Sequence, residues 1–193
     1  MGGAGHDLSR GVLNITKNEQ SFVFKNVPKG SVPSLFRGFS APMKYKYNYS
    51  NADLRHLMDH DDEGFNRYDA GQRIVNMELD KLVEAWQAMA ADERVSKKLP
   101  VSQETLESFD PIVFELMDKD PSLAREMLIL PGEKEMVQKM RVYDFQAAKA
   151  ARDALRLAIA GRFKKRFEEL YRKYQGIAAE HEANKQAVPG GRQ

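Results

Sequence analysis

The stretch RHLMDHDDEGFNR, residues 55–67, sets His56 and His60 four apart in a segment with a helical pattern. That spacing can hold zinc on one helix face when a Glu follows the first His as general base and a third ligand arrives from elsewhere. Here Leu57 stands where the base is needed. The nearby acids Asp59, Asp61, Asp62 and Glu63 crowd into one polar turn, the composition of a solvated turn and a helix start. A second stretch, AEHEANKQ, begins the same pattern with His181 and Glu182, but Lys185 occupies the second ligand's place and a protonated amine cannot ligate. With four histidines and no cysteine, a thiolate zinc site, a cysteine nucleophile and a disulfide framework are all excluded. Phosphate-loop, dinucleotide and nucleophile-elbow glycine motifs are absent as well. The residues therefore nominate no catalytic, cofactor-binding or metal-ligating side chain, and His56 and His60 read as surface residues.

One further stretch invites a binding role. GRFKKRFEELYRKY, Gly161 to Tyr174, interleaves basic and aromatic residues as a nucleic-acid or membrane strip would. Its periodicity favours packing. Leu155, Ile159, Phe163, Phe167, Leu170, Tyr171 and Tyr174 repeat at helical spacing and form one apolar face, leaving Lys164, Lys165, Arg166, Arg172 and Lys173 for solvent. The chain as a whole gives no field to attract nucleic acid or an anionic surface, because 30 basic and 28 acidic residues leave a net charge of +2.

Positioning these residues requires folded elements, and the composition supplies them. The chain has 193 residues, 42% of them hydrophobic, enough for one ordinary domain with an apolar core. Residues 1–11, opening MGGAGH, read as a flexible N-terminus. Residues 12–49 alternate with period two: LNIT, a polar KNEQ turn, SFVF, and later Met43, Tyr45, Tyr47 and Tyr49, which predicts three short strands at most. NVPKGSVPSLFRGFSAP between them, with three prolines, reads as an irregular crossing. From Ser50 the period becomes helical. Helices are expected over about 51–60, 63–92, 102–118, 121–130, 132–139 and 144–182, with Ser50, Ser102, Asp120 and Asp144 as start signals. Residues 183–193 read as a frayed tail. The fold class is mainly α: a small N-terminal β part followed by an antiparallel helical stack over residues 50–182. The lack of a signal or membrane-spanning pattern and of cysteine predicts a soluble, cytoplasmic protein.

VPSLFRGFSAPMKYKY, residues 32–47, LMDHDDEGFNRYDAGQR, residues 57–73, and REMLILPGEKEM, residues 125–136, together resemble the aminopeptidase N (alanyl aminopeptidase) family of zinc metallopeptidases, bacterial type. In that family a VPSLLRGFSAPVKL-like run closes a small Ig-like β-sandwich, an H-x-x-x-x-F-x-R-[WY]-[DE]-A stretch opens a large helical domain, and an L-x-LP-x-x-x-x-[ML] run comes later. The resemblance runs from about Glu19 to Tyr174, although QAVPGGRQ does not look like the family's continuation. It implies that residues 12–49 are the last strands of the sandwich and that residues 50–182 are the first helices of the C-terminal domain. The family's H-E-x-x-H motif, its third zinc-binding Glu and its G-A-M-E-N motif have no counterpart here, so its catalytic and zinc-binding residues transfer to no position. The resemblance thus implies a non-catalytic part of an enzyme that releases N-terminal amino acids from peptides. The alternative is a freestanding helical module that binds peptide or protein. The expected partner is the missing catalytic domain or another copy of the chain, since Phe22 and Phe24 and Met43, Tyr45 and Tyr47 would give the small sheet an open apolar face. No nucleic acid or membrane is expected.

Overall fold

The computed structural model describes the backbone of residues 12–39 and 45–187, with side chains except at 39 and 180–187. The chain divides into two compact units, residues 1–33 and 34–193.

In the first unit the described residues form no strand: bends fall at 17–19 and 25–26, Asn26 has a φ of 58°, and a turn at 29–30 is closed by the Ser31 N–H on the Pro28 carbonyl. The polar turn falls where the sequence places it, as a bend at residues 17–19. A side chain bridges it: the Thr16 N–H donates to Gln20 Oε1 at 3.0 Å, and Gln20 Nε2 donates to the Asn14 carbonyl at 3.4 Å. The expected strands of LNIT and SFVF are thus corrected to irregular chain. Strand conformation needs a neighbour to take its backbone bonds.

The second unit is a helical stack. Ser50 caps α1 (Asn51–His60) in a full capping box, its hydroxyl accepting from the Asp53 N–H while Asp53 accepts from the Ser50 N–H. Helix α2 (Gly64–Ala88) packs along α1 and against α8 (Phe145–Ala187), burying Ile74, Val75, Leu79 and Leu82, while α1 buries Leu54 and Met58. At the crossing Gly71 is buried, and a Cβ there would lie 3.3 Å from Met127 Cε and 3.4 Å from Met58 Sδ. The expected 63–92 helix breaks at Met89, whose backbone is extended, and resumes as α3 (Glu93–Ser96). Arg94 explains the stop. Its guanidinium donates to the Trp86 and Gln87 carbonyls and lies 4.0 Å from the Trp86 ring centroid, serving the orphan carbonyls of the helix end.

The expected 102–118 helix is also three pieces: α4 (Gln103–Ser108), a π-helical turn (Ile112–Leu116) and α5 (Met117–Lys119). Pro111 lacks an N–H and its ring opposes the preceding carbonyls, so a regular helix cannot run through it. Then α6 (Pro121–Leu128) starts on an Asp120 cap with Pro at its first turn, and α7 (Glu133–Lys139) follows. Helix α8 (Phe145–Ala187) is about 65 Å long and runs past the expected end at Glu182. Its small residues Ala147, Ala148 and Ala151 are fully buried, which lets it approach α2 and α7 closely, and Leu155, Ile159 and Phe163 complete the core.

Tyr45, Tyr47 and Tyr49, expected in a strand, belong to no strand; Met43 lies outside the described residues. Their alternation serves packing on α2 instead. Tyr45 and Tyr49 both face the Arg73 guanidinium, at 4.7 and 5.7 Å from the ring centroids. Among the described residues no helix is long and apolar enough to cross a membrane.

Candidate functional site

Two of the three stretches that carry the resemblance gather where the chain enters the helical stack. Positive φ at Phe36 (56°) and Gly38 (62°) curls the backbone, an arrangement that a bulky residue rarely adopts. The Phe36 ring compensates by stacking on Tyr45, centroids 4.6 Å apart. The curl aims Arg37 at the turn after α1, where it bonds Asp61 at 2.8 Å and also pairs with Asp62. Asn66, in the first turn of α2, donates to Ser34 Oγ at 2.7 Å and to the Leu35 carbonyl at 3.1 Å. Arg67 donates to the Met58 carbonyl at 2.8 Å, tying the start of α2 to the end of α1. Asp69 accepts from Arg73 at 2.7 Å and from the Tyr45 hydroxyl at 3.3 Å.

Each of these side chains has at least one polar partner within the group. Burial, and after it Asp69, raises the Tyr45 phenol above its usual value; burial pushes Tyr49 up to about 12. Both phenols stay protonated and neither is a base at neutral pH. The cleft between Leu35, Tyr49 and Leu57 has a volume of about 10 Å³, room for no more than one water. This arrangement ties residues 34–45 to the start of α2 and the turn before it. Asp61 Oδ2 and Asp59 Oδ1 are buried without a hydrogen-bond partner among the described residues, and burial raises the Asp59 carboxyl above the usual carboxylate range.

His56 and His60 are exposed, their rings 5.0 Å apart. A catalytic zinc needs three protein ligands around one open position. Among the described residues no three His, Asp or Glu side chains converge that could hold a metal ion. Asp61, the acid nearest in sequence with a buried side chain, is turned onto Arg37. This donor set does not fit zinc. The side chains of His181, Glu182 and Lys185 lie outside those described, although α8 passes through them.

Part of the basic stretch of α8 holds its own molecule together, while Lys164, Lys165 and Arg172 are exposed. Arg162 forms a two-pronged pair with Asp110 at 2.9 and 2.6 Å, Arg166 pairs with Asp118, and Lys173 reaches Asp118 at 3.0 Å. These contacts clamp α8 to the π-turn region. Of the apolar face, Leu155, Ile159, Phe163 and Leu170 are buried and Phe167 is half-buried, whereas Tyr171 is exposed. In REMLILPGEKEM, Met127, Leu130 and Met136 are core residues and the Pro131 carbonyl accepts from Arg152 at 2.9 Å.

Sequence reasoning missed Glu78. Its carboxylate is 2% exposed and accepts from the Ser102 N–H at 2.6 Å, the Ser102 hydroxyl at 2.8 Å and the Thr105 hydroxyl at 3.1 Å. The signal was available, since Glu78 falls four residues after Ile74 and four before Leu82, inside the apolar stripe of α2. It anchors the start of α4 to the middle of α2.

The ARM-repeat match agrees with the helical stack, whereas the Ig-like match falls where the described residues form no strand. Residues 51–192 match a domain of unknown function described as ARM repeats (DUF3458_C), and residues 1–48 match one described as having an Ig-like fold (DUF3458). The first match includes nearly all of QAVPGGRQ, which corrects the expectation that this run departs from the family. Aminopeptidase N of Escherichia coli is 34% identical over 158 residues, 81% of this chain and 17% of the relative. Aminopeptidase N of Haemophilus influenzae is 32% identical over 86% of this chain and 18% of its own length. A crystal structure of Legionella pneumophila aminopeptidase A in complex with aspartic acid superposes with a TM-score of 0.55 at 25% identity, over 74% of this chain and 15% of that one. The chain thus spans about one sixth of the relatives it matches. It belongs to the family defined by that ARM-repeat domain and is homologous to the corresponding part of aminopeptidase N.

Proposed function

We propose that the chain is a non-catalytic part of an aminopeptidase N-like zinc metallopeptidase, contributing the end of its Ig-like part and the opening helices of its C-terminal domain. One observation carries the reading. Motif residues from two of the three stretches turn toward one another in a clamp, Arg37 on Asp61 and Asp62, Ser34 on Asn66, and Tyr45 with Arg73 on Asp69, rather than toward a common zinc or substrate position. In the proposed whole enzyme, zinc and its ligands lie on residues outside this chain, and the clamp fixes how the helical domain leaves the Ig-like part. The catalytic domain is the partner in this reading, the substrates are peptides cleaved at the N-terminus, and the setting is cytoplasmic.

Metal analysis after dialysis, with turnover of an alanyl reporter substrate, tests the proposal. The expected result is no stoichiometric zinc and no turnover above a buffer blank. One tightly held zinc per chain, lost on His56→Gln, overturns it.

A further inference from the structure

We propose that the cleft between the α6–α7 loop and α8 binds a small apolar carboxylate, an acid with one charged group on a compact hydrocarbon body. The cleft has a volume of about 350 Å³, which lies in the range of small-molecule sites and gives room for roughly twelve water-sized groups. Its lining is mostly apolar: Leu130 and Ile159 are buried, Phe167 is half-buried and Ile129 is 47% exposed. Helical spacing places Arg152, Arg156, Ile159 and Phe167 on one side of α8, with the two guanidiniums one turn apart at the same end. The facing wall is held in place without a ligand. Gln72 Nε2 donates to the Ile129 carbonyl at 3.1 Å and Arg152 Nε donates to the Pro131 carbonyl at 2.9 Å, so the loop is pinned from both α2 and α8. A preformed wall spares the ligand the cost of ordering it.

The charges around the cleft select the ligand. Arg152 spends its Nε–H on Pro131, and its two Nη groups meet no carboxylate among the described residues. Arg156 pairs with Asp153 at 3.0 Å, but Lys149 also pairs with Asp153, at 2.5 Å. Three cations, Lys149, Arg152 and Arg156, thus act on one carboxylate, and positive charge is left in excess at the cleft. A guanidinium presents paired N–H donors that suit a carboxylate or a phosphate. The apolar lining decides between them. A phosphate calls for donors to three oxygens, whereas a carboxylate is satisfied by the two arginines and leaves a hydrocarbon body to cover Ile129 and Phe167. An amine or a free amino acid would set its ammonium against both arginines.

The test titrates the nitrogen-15-labelled full chain with 4-phenylbutyrate, whose non-hydrogen atoms number about the twelve the cleft has room for, and follows backbone and arginine Nε–H resonances. Shifts are expected at residues 128–131 and at Arg152 and Arg156, saturating with a dissociation constant on the order of 1 mM. Arg156→Met, which keeps an apolar stem and leaves the Pro131 contact intact, should weaken binding at least about fivefold. Arg152→Met should weaken it further, whereas Arg172→Met, on an exposed part of α8 outside the cleft, should leave it within about twofold. The uncharged 4-phenylbutanol should bind at least about tenfold more weakly than the acid. Equal binding of acid and alcohol, or binding indifferent to Arg156→Met, overturns the proposal. So does the absence of shifts at residues 128–131 and at both arginines up to about 20 mM acid. Shifts of the same resonances with protein concentration alone overturn it in favour of a second copy seated in the cleft. None of these outcomes bears on the aminopeptidase reading, which stands or falls on zinc content and turnover.

Discussion

Residues 12–33 and the α1–α2 pair were built from similar material and ended differently. Both carry apolar side chains at a regular spacing, period two in the first and helical in the second, yet the first stretch leaves Val23 and Ile15 in solvent while α1 and α2 bury Leu54, Met58 and Leu79 almost completely. The difference lies in the backbone. A helix closes its own bonds within four residues, so α1 needs only a cap and one apolar neighbour, both of which the chain provides at Ser50 and α2. An irregular run closes few, and a Gln20 side chain is a partial substitute.

Several substitutions sharpen or break that contrast. Phe163→Ala should cost about 3–5 kcal/mol, because the ring is fully buried between Phe114 and Phe167; denaturant melts read it. Glu78→Ala should cost about 2–3 kcal/mol by stranding the Ser102 and Thr105 donors, with thermal melts of a Ser102→Ala and Glu78→Ala cycle showing strong coupling. Gly71→Val should cost about 1–3 kcal/mol by overpacking Met58 and Met127, whereas Gly71→Ala should cost less because both neighbours are flexible. If neither Phe163→Ala nor Glu78→Ala matters, the helical body is not the cooperative unit.

Two carboxylates should then respond to pH with opposite signs. Asp144 is held below the usual range first by the Ala147 N–H and then by Gln87, so its contribution is present above the unfolded value and lost as pH falls through the folded one. Asp59 is raised by burial, so its charge opposes folding at neutral pH and that cost fades as pH falls through the raised value. Melts across the acid range should show Asp59→Asn stabilising at neutral pH by under about 1 kcal/mol, the gain vanishing in acid. A gain that persists in acid would point to packing rather than charge. The smallest effect belongs to the irregular stretch, where Val23→Ala should change the stability of the isolated chain by no more than about 0.5 kcal/mol. A larger loss would mean that residues 12–27 already pack within the isolated chain.

Much of the helical body was legible in the residues because its signals are local. Ser50, Ser102, Asp120 and Asp144 each accept from a backbone N–H at the predicted helix starts, as short polar side chains do whatever lies around them. The stops were read less well. Pro111 and the Arg94 cap of the Trp86 carbonyl split two predicted helices, and the second depends on a side chain eight residues away. The clamp was visible as a motif but not as a set of contacts, since Arg37 meets Asp61 across twenty-four residues and only the folded turn brings them together.

By itself the sequence determined which segments become helix, that no cysteine chemistry is possible, and that HLMDH lacks the Glu a zinc helix needs. Spacing and side-chain type act within a turn or two of helix, where no distant partner is required. Tertiary structure alone decided that Glu78 is a buried anchor, that Asp61 faces Arg37 rather than a cation, and that Tyr45 and Tyr49 flank Arg73 instead of lining a strand. In each case the outcome depends on which of several chemically acceptable partners lies within reach, and reach across the chain is set by how the helices pack.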